Sequence, residues 1–464
     1  MIPPPNSGHN SFRAGKEVVM VSALGLVGGL ALLILLTVRG VNIVVAAVVS
    51  AALVAATAGV AWLPPLAQSE APDFATAYMA GFTSFFADWF PMFLLGAVFG
   101  EIMARTGAAD SVALAITGAL GPRYAAFAVV LACAVLTYGG VSVFIVAFAV
   151  YPMALSLFRR ADMPRRFIPA CLAFGSVTFT MTTAGSPEIQ NIIPQQYLGT
   201  KAWAGWQVSL PVAVLMAAIG FFWLSRMMRK AKARGERFEA REDDERREHD
   251  ALPAWWLSLL PLVVVLGVFL LTQEPGWIGL SGEGLGKWGL VVALGAGCVA
   301  ASLLAIRDLP ALAPALSIGA TGAVIAIVNT CAVVGFGSVA KLSPAFLSAL
   351  SALETLPGDP LIGAAIAVTV IAALTGSASG GQTIALPLIA PGYIEAGVDP
   401  SEFHRTVAIA SGALDSLPHN GYVVTTIRAI CGETHAAAYP ALGALTVVVP
   451  LIGLVVAIGL FVIF

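Results

Sequence analysis

The sequence predicts an all-α polytopic membrane protein made of two inverted-topology repeats, and three observations support this fold class. Of the 464 residues, 58% are hydrophobic and only 11% are charged, whereas soluble domains carry about 25% charged residues. Apolar segments long enough to cross a bilayer recur along the chain. Motifs rich in Gly, Ser and Thr interrupt corresponding segments of the two halves. We therefore expect the lipid bilayer to surround most of the chain.

The second half of the chain repeats features of the first half at a nearly constant offset. The stretch Leu136-Thr137-Tyr138-Gly139-Gly140-Val141-Ser142 corresponds to Leu374-Thr375-Gly376-Ser377-Ala378-Ser379-Gly380-Gly381. The same offset relates Phe99-Gly100 to Phe336-Gly337, Gly121 to Gly358, Asp162 to Asp399 and Gly175 to Gly412. Paired breaks inside hydrophobic segments are typical of proteins that form a binding site near the bilayer midplane.

The chain divides into five predicted segments: a disordered tail, N-terminal transmembrane helices, repeat 1, a charged linker and repeat 2. They cover residues 1–17, 18–76, 77–228, 229–253 and 254–464. Each repeat contains a hairpin followed by a broken transmembrane helix. These lie at 121–160 and 166–200 in repeat 1, and at 358–398 and 401–432 in repeat 2.

The arms of both hairpins are too short to cross a membrane. They cover 124–136, 143–158, 361–374 and 383–396, whereas a crossing helix needs about 20 residues. Short arms joined by small and polar residues predict a re-entrant hairpin, which turns back at mid-membrane where protein or a water-filled cavity satisfies its backbone.

Flanking charges predict that the two hairpins enter from opposite sides. Arginines follow the first hairpin, at positions 159, 160, 165 and 166. Acidic residues flank the second hairpin, at positions 354, 359, 395, 399 and 402. Since Lys and Arg mark the cytoplasmic side, the first hairpin is predicted to enter from the cytoplasm and the second from outside. The mixed charges of the linker predict a solvated cytoplasmic helix with i,i+4 pairs.

Four breaks carry the candidate site residues, because a broken helix exposes unpaired N–H and C=O groups. The hairpin tips contribute Thr137, Gly139, Gly140 and Ser142, and Thr375, Ser377, Ser379, Gly380 and Gly381. The helix breaks contribute Thr182, Thr183, Gly185 and Ser186, and Ser416, His419, Asn420 and Gly421. N-terminal helix ends suit a carboxylate, and hydroxyl groups add donors. The pattern indicates a site for a small hydroxylated carboxylate, and close helix packing is the alternative role of these small residues.

Two acids lie beside the helix breaks. Asp415 directly precedes the second break within an apolar helix, where an ionisable residue indicates a functional site. It is a candidate proton carrier or, alternatively, the N-cap of the next helical stub. Glu188 begins the stub after the first break and either opposes the helix dipole or contacts a ligand or proton. His419 is a titratable group or a hydrogen-bonded bystander.

Composition and spacing argue against several other function classes. The formal net charge is -2, so no nucleic-acid partner is expected. The five cysteines are scattered without disulfide or metal spacing, and the five histidines form no cluster that would favour an enzyme or a cofactor. An anion channel would show a continuous polar stripe, whereas this chain has localised breaks.

The chain resembles the gluconate permease (GntP-like) family of secondary transporters, within a larger ion-transporter superfamily. The resemblance rests on the stretches 99–109, 374–381 and 389–391, and on Ser411-Gly-Ala-Leu-Asp-Ser-Leu-Pro-His-Asn-Gly421. It implies a proton symporter of the bacterial inner membrane, a homodimer held by scaffold helices, and an elevator-like movement of a transport domain that carries the hairpins.

One departure from the family pattern concerns the substrate. Gluconate permeases carry a Pro-His-Pro-Gly-like element where this chain reads Thr183-Ala-Gly-Ser-Pro-Glu188. This favours a short hydroxy acid such as 3-hydroxybutyrate at least as much as gluconate. Neither hairpin tip has the Ser-Asn-Thr triplet of sodium-coupled relatives, so a proton is favoured over the alternative of sodium coupling.

Overall fold

The computed structural model describes residues 7–64, 72–120, 124–141, 143–241, 252–273, 285, 287–304, 309–354 and 358–463. Its regular elements within these ranges are helices, apart from one isolated bridge between Ala61 and Asp73. Seven of the described helices are long and apolar enough to cross a membrane. The described part of the chain therefore has the all-helical architecture of a polytopic membrane protein.

Nineteen α-helices are described. In chain order they are α1 Ser7–Val38, α2 Ile43–Ala58, α3 Phe74–Arg105, α4 Ala108–Leu120, α5 Ala125–Tyr138, α6 Val143–Arg160, α7 Ile168–Ala173, α8 Ile193–Leu198, α9 Trp206–Ala233, α10 Trp255–Gln273, α11 Lys287–Leu304, α12 Leu309–Ala340, α13 Pro344–Glu354, α14 Pro360–Thr375, α15 Ala378–Glu395, α16 Pro400–Ser411, α17 Gly421–Val424, α18 His435–Gly443 and α19 Val449–Ile463. A π-helical segment, Ala444–Val448, joins α18 to α19 in one continuous span.

The N-terminal region differs from the sequence prediction in two places. Helix α1 begins at Ser7. The prediction of a disordered tail over 1–17 is therefore wrong for residues 7–17, which are helical. No proline follows Pro5 until well beyond α1, and an apolar helix can extend into preceding polar residues that lack a breaker. Residues 1–6 lie outside the described ranges. Helix α2 is shorter than the span 41–63 that its apolar sequence predicts, because Gly59 ends it in a left-handed conformation, with φ 70°.

Each predicted hairpin corresponds to two short helices that pack on each other. Helices α5 and α6 form the first hairpin, and α14 and α15 form the second. The arms of the second hairpin approach very closely, since a Cβ at Gly381 would lie 2.7 Å from the Ala372 Cα. Helices α5 and α14 contain 14 and 16 residues, which is too few for a crossing. Helices α6 and α15 contain 18 residues each and are longer than the predicted arms.

The tip of the second hairpin is tighter than the sequence predicts. Helix α15 starts at Ala378, so Gly376 and Ser377 alone join its two arms. Gly376 adopts a left-handed conformation (φ 56°) at the end of α14. The Ser377 hydroxyl accepts a hydrogen bond from the Gly380 N–H at 3.1 Å, which makes Ser377 an N-cap. Ser379, Gly380 and Gly381 therefore belong to the first turn of α15 and not to a loop.

The two broken helices run antiparallel. The first consists of α7 and α8 and the second of α16 and α17, with irregular backbone between the parts. Near the end of the first helix, the Thr200 hydroxyl is hydrogen-bonded to His404 Nδ1 at 2.6 Å, at the beginning of the second. At the opposite end, Arg165 and Glu433 form a buried ion pair at 3.2 Å. Since the start of each helix lies beside the end of the other, their directions are opposed.

Residues 234–241 of the linker form a strap docked on the protein, and not the solvated helix with i,i+4 pairs that the sequence predicts. Helix α9 ends at Ala233. Glu236 then pairs with Arg166 at 2.7 Å, and Arg237 pairs with Asp162. The Phe238 N–H and the Arg237 guanidinium hold the pKa of the Asp162 carboxyl below its usual range. Linker residues 242–251 lie outside the described ranges.

Two groups of helices enclose the centre of the molecule. Helices α1, α2, α3, α10, α11 and α12 pack mainly on one another, with α12 lying along α3. We call them the scaffold side. The hairpins and the broken helices pack mainly on one another and form the hairpin side. Helix α12 also packs against α14 and α15, so the two groups meet at the second hairpin.

Candidate functional site

A cavity of about 180 Å³ lies where the hairpin side meets the scaffold side. All four breaks contribute to its wall, and α2, α3, α11 and α12 complete it. Eight of the residues singled out from the sequence line this cavity. They are Gly140, Glu188, Ser377, Ser379, Asp415, Ser416, Asn420 and Gly421.

The remaining predicted residues lie outside the cavity wall. Ten of them are Thr137, Gly139, Thr182, Thr183, Gly185, Ser186, Thr375, Gly380, Gly381 and His419. Ser142 lies outside the described residues. Two of the ten stabilise the backbone at the breaks through their hydroxyl groups. The Thr183 hydroxyl donates to the Phe179 carbonyl at 2.6 Å, and the Thr375 hydroxyl donates to the Ile371 carbonyl at 2.9 Å. These two hydroxyls are therefore already hydrogen-bonded to carbonyls of their own segments.

Asn420 organises the second break. Its side-chain oxygen accepts from the Val423 N–H at 3.0 Å, which makes it the N-cap of α17. Its amide nitrogen donates to the carbonyls of Gly376 (2.9 Å) and Asp415 (3.1 Å). The N-cap of α17 is therefore Asn420 and not Asp415. Asn420 also connects the second helix break to the tip of the second hairpin.

Asp415 and Glu188 are the two acids of the cavity wall. The Asp415 carboxylate accepts a hydrogen bond from the Ser416 hydroxyl at 2.8 Å, and the residue is 5% exposed. The Glu188 side chain makes no capping bond to the short 3₁₀ turn that follows it. Within the described residues, neither acid forms an ion pair, and no Lys or Arg lines the cavity. Both carboxyl groups therefore face the cavity without a compensating cation.

The comparisons with known proteins identify the family. The family model described as "GntP family permease" matches residues 20–458. The chain therefore belongs to the GntP permease family. It is 35% identical over 411 residues to the uncharacterized transporter YxjC of Bacillus subtilis (strain 168), covering 81% of this chain and 87% of the relative. The permease is thus a multi-pass membrane transporter and not an enzyme.

The solved structures similar to this chain include the YdaH transporter of Alcanivorax borkumensis, which is reported to have an unusual topology. The TM-score is 0.49 at 14% sequence identity, and the match covers 88% of this permease and 95% of that chain.

Arg405 holds the first break in shape, although it lies on the second broken helix. Its side chain is fully buried. The guanidinium donates to the carbonyls of Thr182 (2.5 Å), Ala202 (3.1 Å) and Ala204 (3.0 Å), and to Asn191 Oδ1 at 2.7 Å. The sequence analysis did not single out Arg405. An arginine within a largely apolar broken helix was the signal available for a buried role.

Asn191 closes the first break from inside. Its amide nitrogen donates to the carbonyls of Met181 (3.1 Å), Thr183 (3.1 Å) and Ser186 (3.2 Å), while its oxygen accepts from Arg405. Each of the two helix breaks is therefore shaped by one buried asparagine, and the bonds satisfy carbonyls that the broken helix leaves unpaired.

Both hairpin tips are attached to the first break. The Tyr138 hydroxyl donates to the Ala184 carbonyl at 2.7 Å. Gln382, fully buried in α15, donates to the Gln190 carbonyl at 3.1 Å and to the Ser411 hydroxyl at 3.0 Å. These bonds link the four breaks into one unit of the permease.

The cavity wall also contains polar residues that sequence reasoning missed. Gln190 lies in the first break, and Asn329 and Thr330 lie on α12. The scaffold side is otherwise largely apolar there, with Met92, Phe93, Leu290, Leu294 and Val333. An asparagine within the long apolar helix α12 was a detectable signal, because unpaired amides are costly in a membrane. The cavity has a polar wall toward the breaks and a mostly apolar wall toward the scaffold.

Proposed function

We propose that this permease imports a small hydroxylated monocarboxylate, such as 3-hydroxybutyrate or gluconate, by proton symport. The observation that carries the proposal is the cavity wall, where hydroxyls and helix ends face two carboxyl groups with no lysine or arginine beside them in the described residues. A mostly apolar opposite wall suits a short carbon chain. The plasma membrane is the site of action, with the linker on the cytoplasmic side.

The tip of the second hairpin is the proposed carboxylate position. Helix α15 contains 18 residues, and its N-terminus with Ser377, Ala378 and Ser379 faces the cavity. An α-helix N-terminus carries partial positive charge and free N–H donors, which bind carboxylates. The hydroxyls of Ser377 and Ser379 lie 3.3 Å apart and add donors without a fixed charge.

Asp415 and Glu188 are the proposed proton carriers. A carboxylate that enters the cavity meets both acids at short range, and like charges repel strongly when water is excluded. A proton on one of the acids removes part of this repulsion, so substrate and proton bind most favourably together. The same electrostatics explains how the proton gradient drives uptake of an anion.

An elevator-like shift of the hairpin side against the scaffold side is the proposed route of alternating access. The hydrogen bonds of Gln382, Asn420 and Arg405 support this, because they join the hairpins and broken helices into one body. The antiparallel course of the broken helices supports the two inverted repeats of the proposal. The scaffold helices are the proposed contact surface of a homodimer.

The test is uptake of labelled 3-hydroxybutyrate and gluconate into proteoliposomes with an imposed pH gradient. We expect Asp415→Asn to abolish proton-driven accumulation while exchange of internal for external substrate persists. Glu395→Gln is the matched control, since Glu395 is exposed at the far end of α15. Full accumulation by the Asp415 variant would exclude this residue from coupling. If uptake requires sodium at fixed pH, the coupling ion is sodium and not a proton.

A further inference from the structure

Helix α12 contributes a polar group to the cavity that none of the four breaks supplies. Four of its residues line the cavity, namely Ala326, Asn329, Thr330 and Val333. The spacing i, i+3, i+4, i+7 places them on one face of the helix. Ala326 and Val333 are apolar, so the hydrogen-bonding capacity of this face resides in Asn329 and Thr330.

These two residues differ in whether their side chains are already paired. The Thr330 hydroxyl donates to the Ala326 carbonyl of its own helix at 3.1 Å. The half-buried Asn329 amide makes no hydrogen bond to any group in the described part of the chain. Removing an amide from water without a new hydrogen-bond partner costs free energy. Asn329 therefore has donor and acceptor groups available to a molecule in the cavity.

Asn329 and the tip of the second hairpin line the same cavity. Val334 touches this tip, since a Cβ at Gly380 would lie 3.4 Å from its side chain. Asn329 precedes Val334 by five residues, which is a rise of about 7.5 Å along an α-helix. A short acid whose carboxylate lies at the N-terminus of α15 therefore shares its cavity with the Asn329 amide.

We propose that Asn329 is the residue that determines specificity for the hydroxyl group of the substrate. The amide oxygen accepts from this hydroxyl or the amide nitrogen donates to it, while the carboxylate stays at the hairpin tip. An acid without the hydroxyl leaves the amide unpaired in the cavity and binds more weakly. The inference rests on the proposed carboxylate substrate, but it does not depend on the identity of the coupling ion.

The test compares acids with and without hydroxyl groups on the full-length permease in proteoliposomes. The probes are the pairs 3-hydroxybutyrate with butyrate and gluconate with hexanoate, each as a competitor of labelled substrate. We expect the wild type to prefer the hydroxylated member of the transported pair by at least about tenfold, the effect of one hydrogen bond. Asn329→Leu, of similar size and suited to an apolar helix, should lower this ratio about tenfold by weakening binding of the hydroxylated acid.

Thr321→Val is the matched control, because Thr321 lies on the same helix outside the cavity wall and its hydroxyl already donates to the Ser317 carbonyl at 2.9 Å. We expect it to keep the wild-type ratio. The inference is overturned if Asn329→Leu keeps the wild-type ratio, if both variants lower it equally, or if the wild type binds both members of a pair equally. Failure of the wild type to bind either hydroxylated acid overturns the proposed function, and the inference with it.

Discussion

Replacement of Arg405 tests how the first break is held. Its guanidinium makes four hydrogen bonds of 2.5–3.1 Å, three to backbone carbonyls and one to Asn191. Arg405→Leu leaves these acceptors unpaired in the interior. Hydrogen bonds to charged groups contribute about 1.5–3 kcal/mol each, but relief from burying the charge offsets part of the sum. We therefore expect a loss of about 3–5 kcal/mol, the range for breaking a buried charged network.

The assay is thermal and denaturant unfolding of the purified permease in detergent, together with ligand binding. Arg229→Leu is the control, since Arg229 is exposed on α9 and exposed substitutions change stability by about 0.5 kcal/mol or less. Arg405→Lys keeps the charge but cannot reproduce the planar fork, so most of the loss should persist. Equal stability of Arg405→Leu and Arg229→Leu would refute this reasoning.

Two further substitutions test the second hairpin and the strap. Gly381→Ala places a Cβ 2.7 Å from the Ala372 backbone, so transport and thermal stability should fall, whereas Gly392→Ala, which meets open space on the same helix, should be neutral. The Phe238 N–H lowers the pKa of Asp162 in the folded protein, so docking of the strap is stabilised above the usual carboxyl pKa and lost as the pH falls below about 4. Asp162→Asn should increase hydrogen exchange of residues 236–241 already at neutral pH, and unchanged exchange would contradict the docked strap.

Local features of the sequence predicted the short helices well. Arms too short to cross, ended by Gly and Ser, indicated both hairpins, and the same reasoning located both helix breaks. The boundary at the second tip was wrong, because Ser377 caps α15 and draws Ser379–Gly381 into its first turn. A capping serine followed by small residues is compatible with a loop or a helix start, and only packing against Ala372 decides between them.

The contacts between distant segments could not be predicted in the same way. Arg405 belongs to the second broken helix but binds carbonyls of the first break, and Gln382 of the second hairpin binds the Gln190 carbonyl. Periodicity and composition report on one helix at a time, so they do not reveal such partners. The role of Asn329 was missed for the same reason, since the cavity it lines is formed mainly by other segments of the chain.

Sidedness of the two hairpins tests the central claim most directly, because the proposed site needs tips that reach mid-membrane from opposite faces. Single cysteines replace Arg160 and Ala396, both exposed at hairpin ends, in a chain whose five native cysteines are substituted. An impermeant maleimide on intact cells should label the cysteine at position 396 and reach that at position 160 only after permeabilisation. Labelling of both positions from the same side would contradict the account.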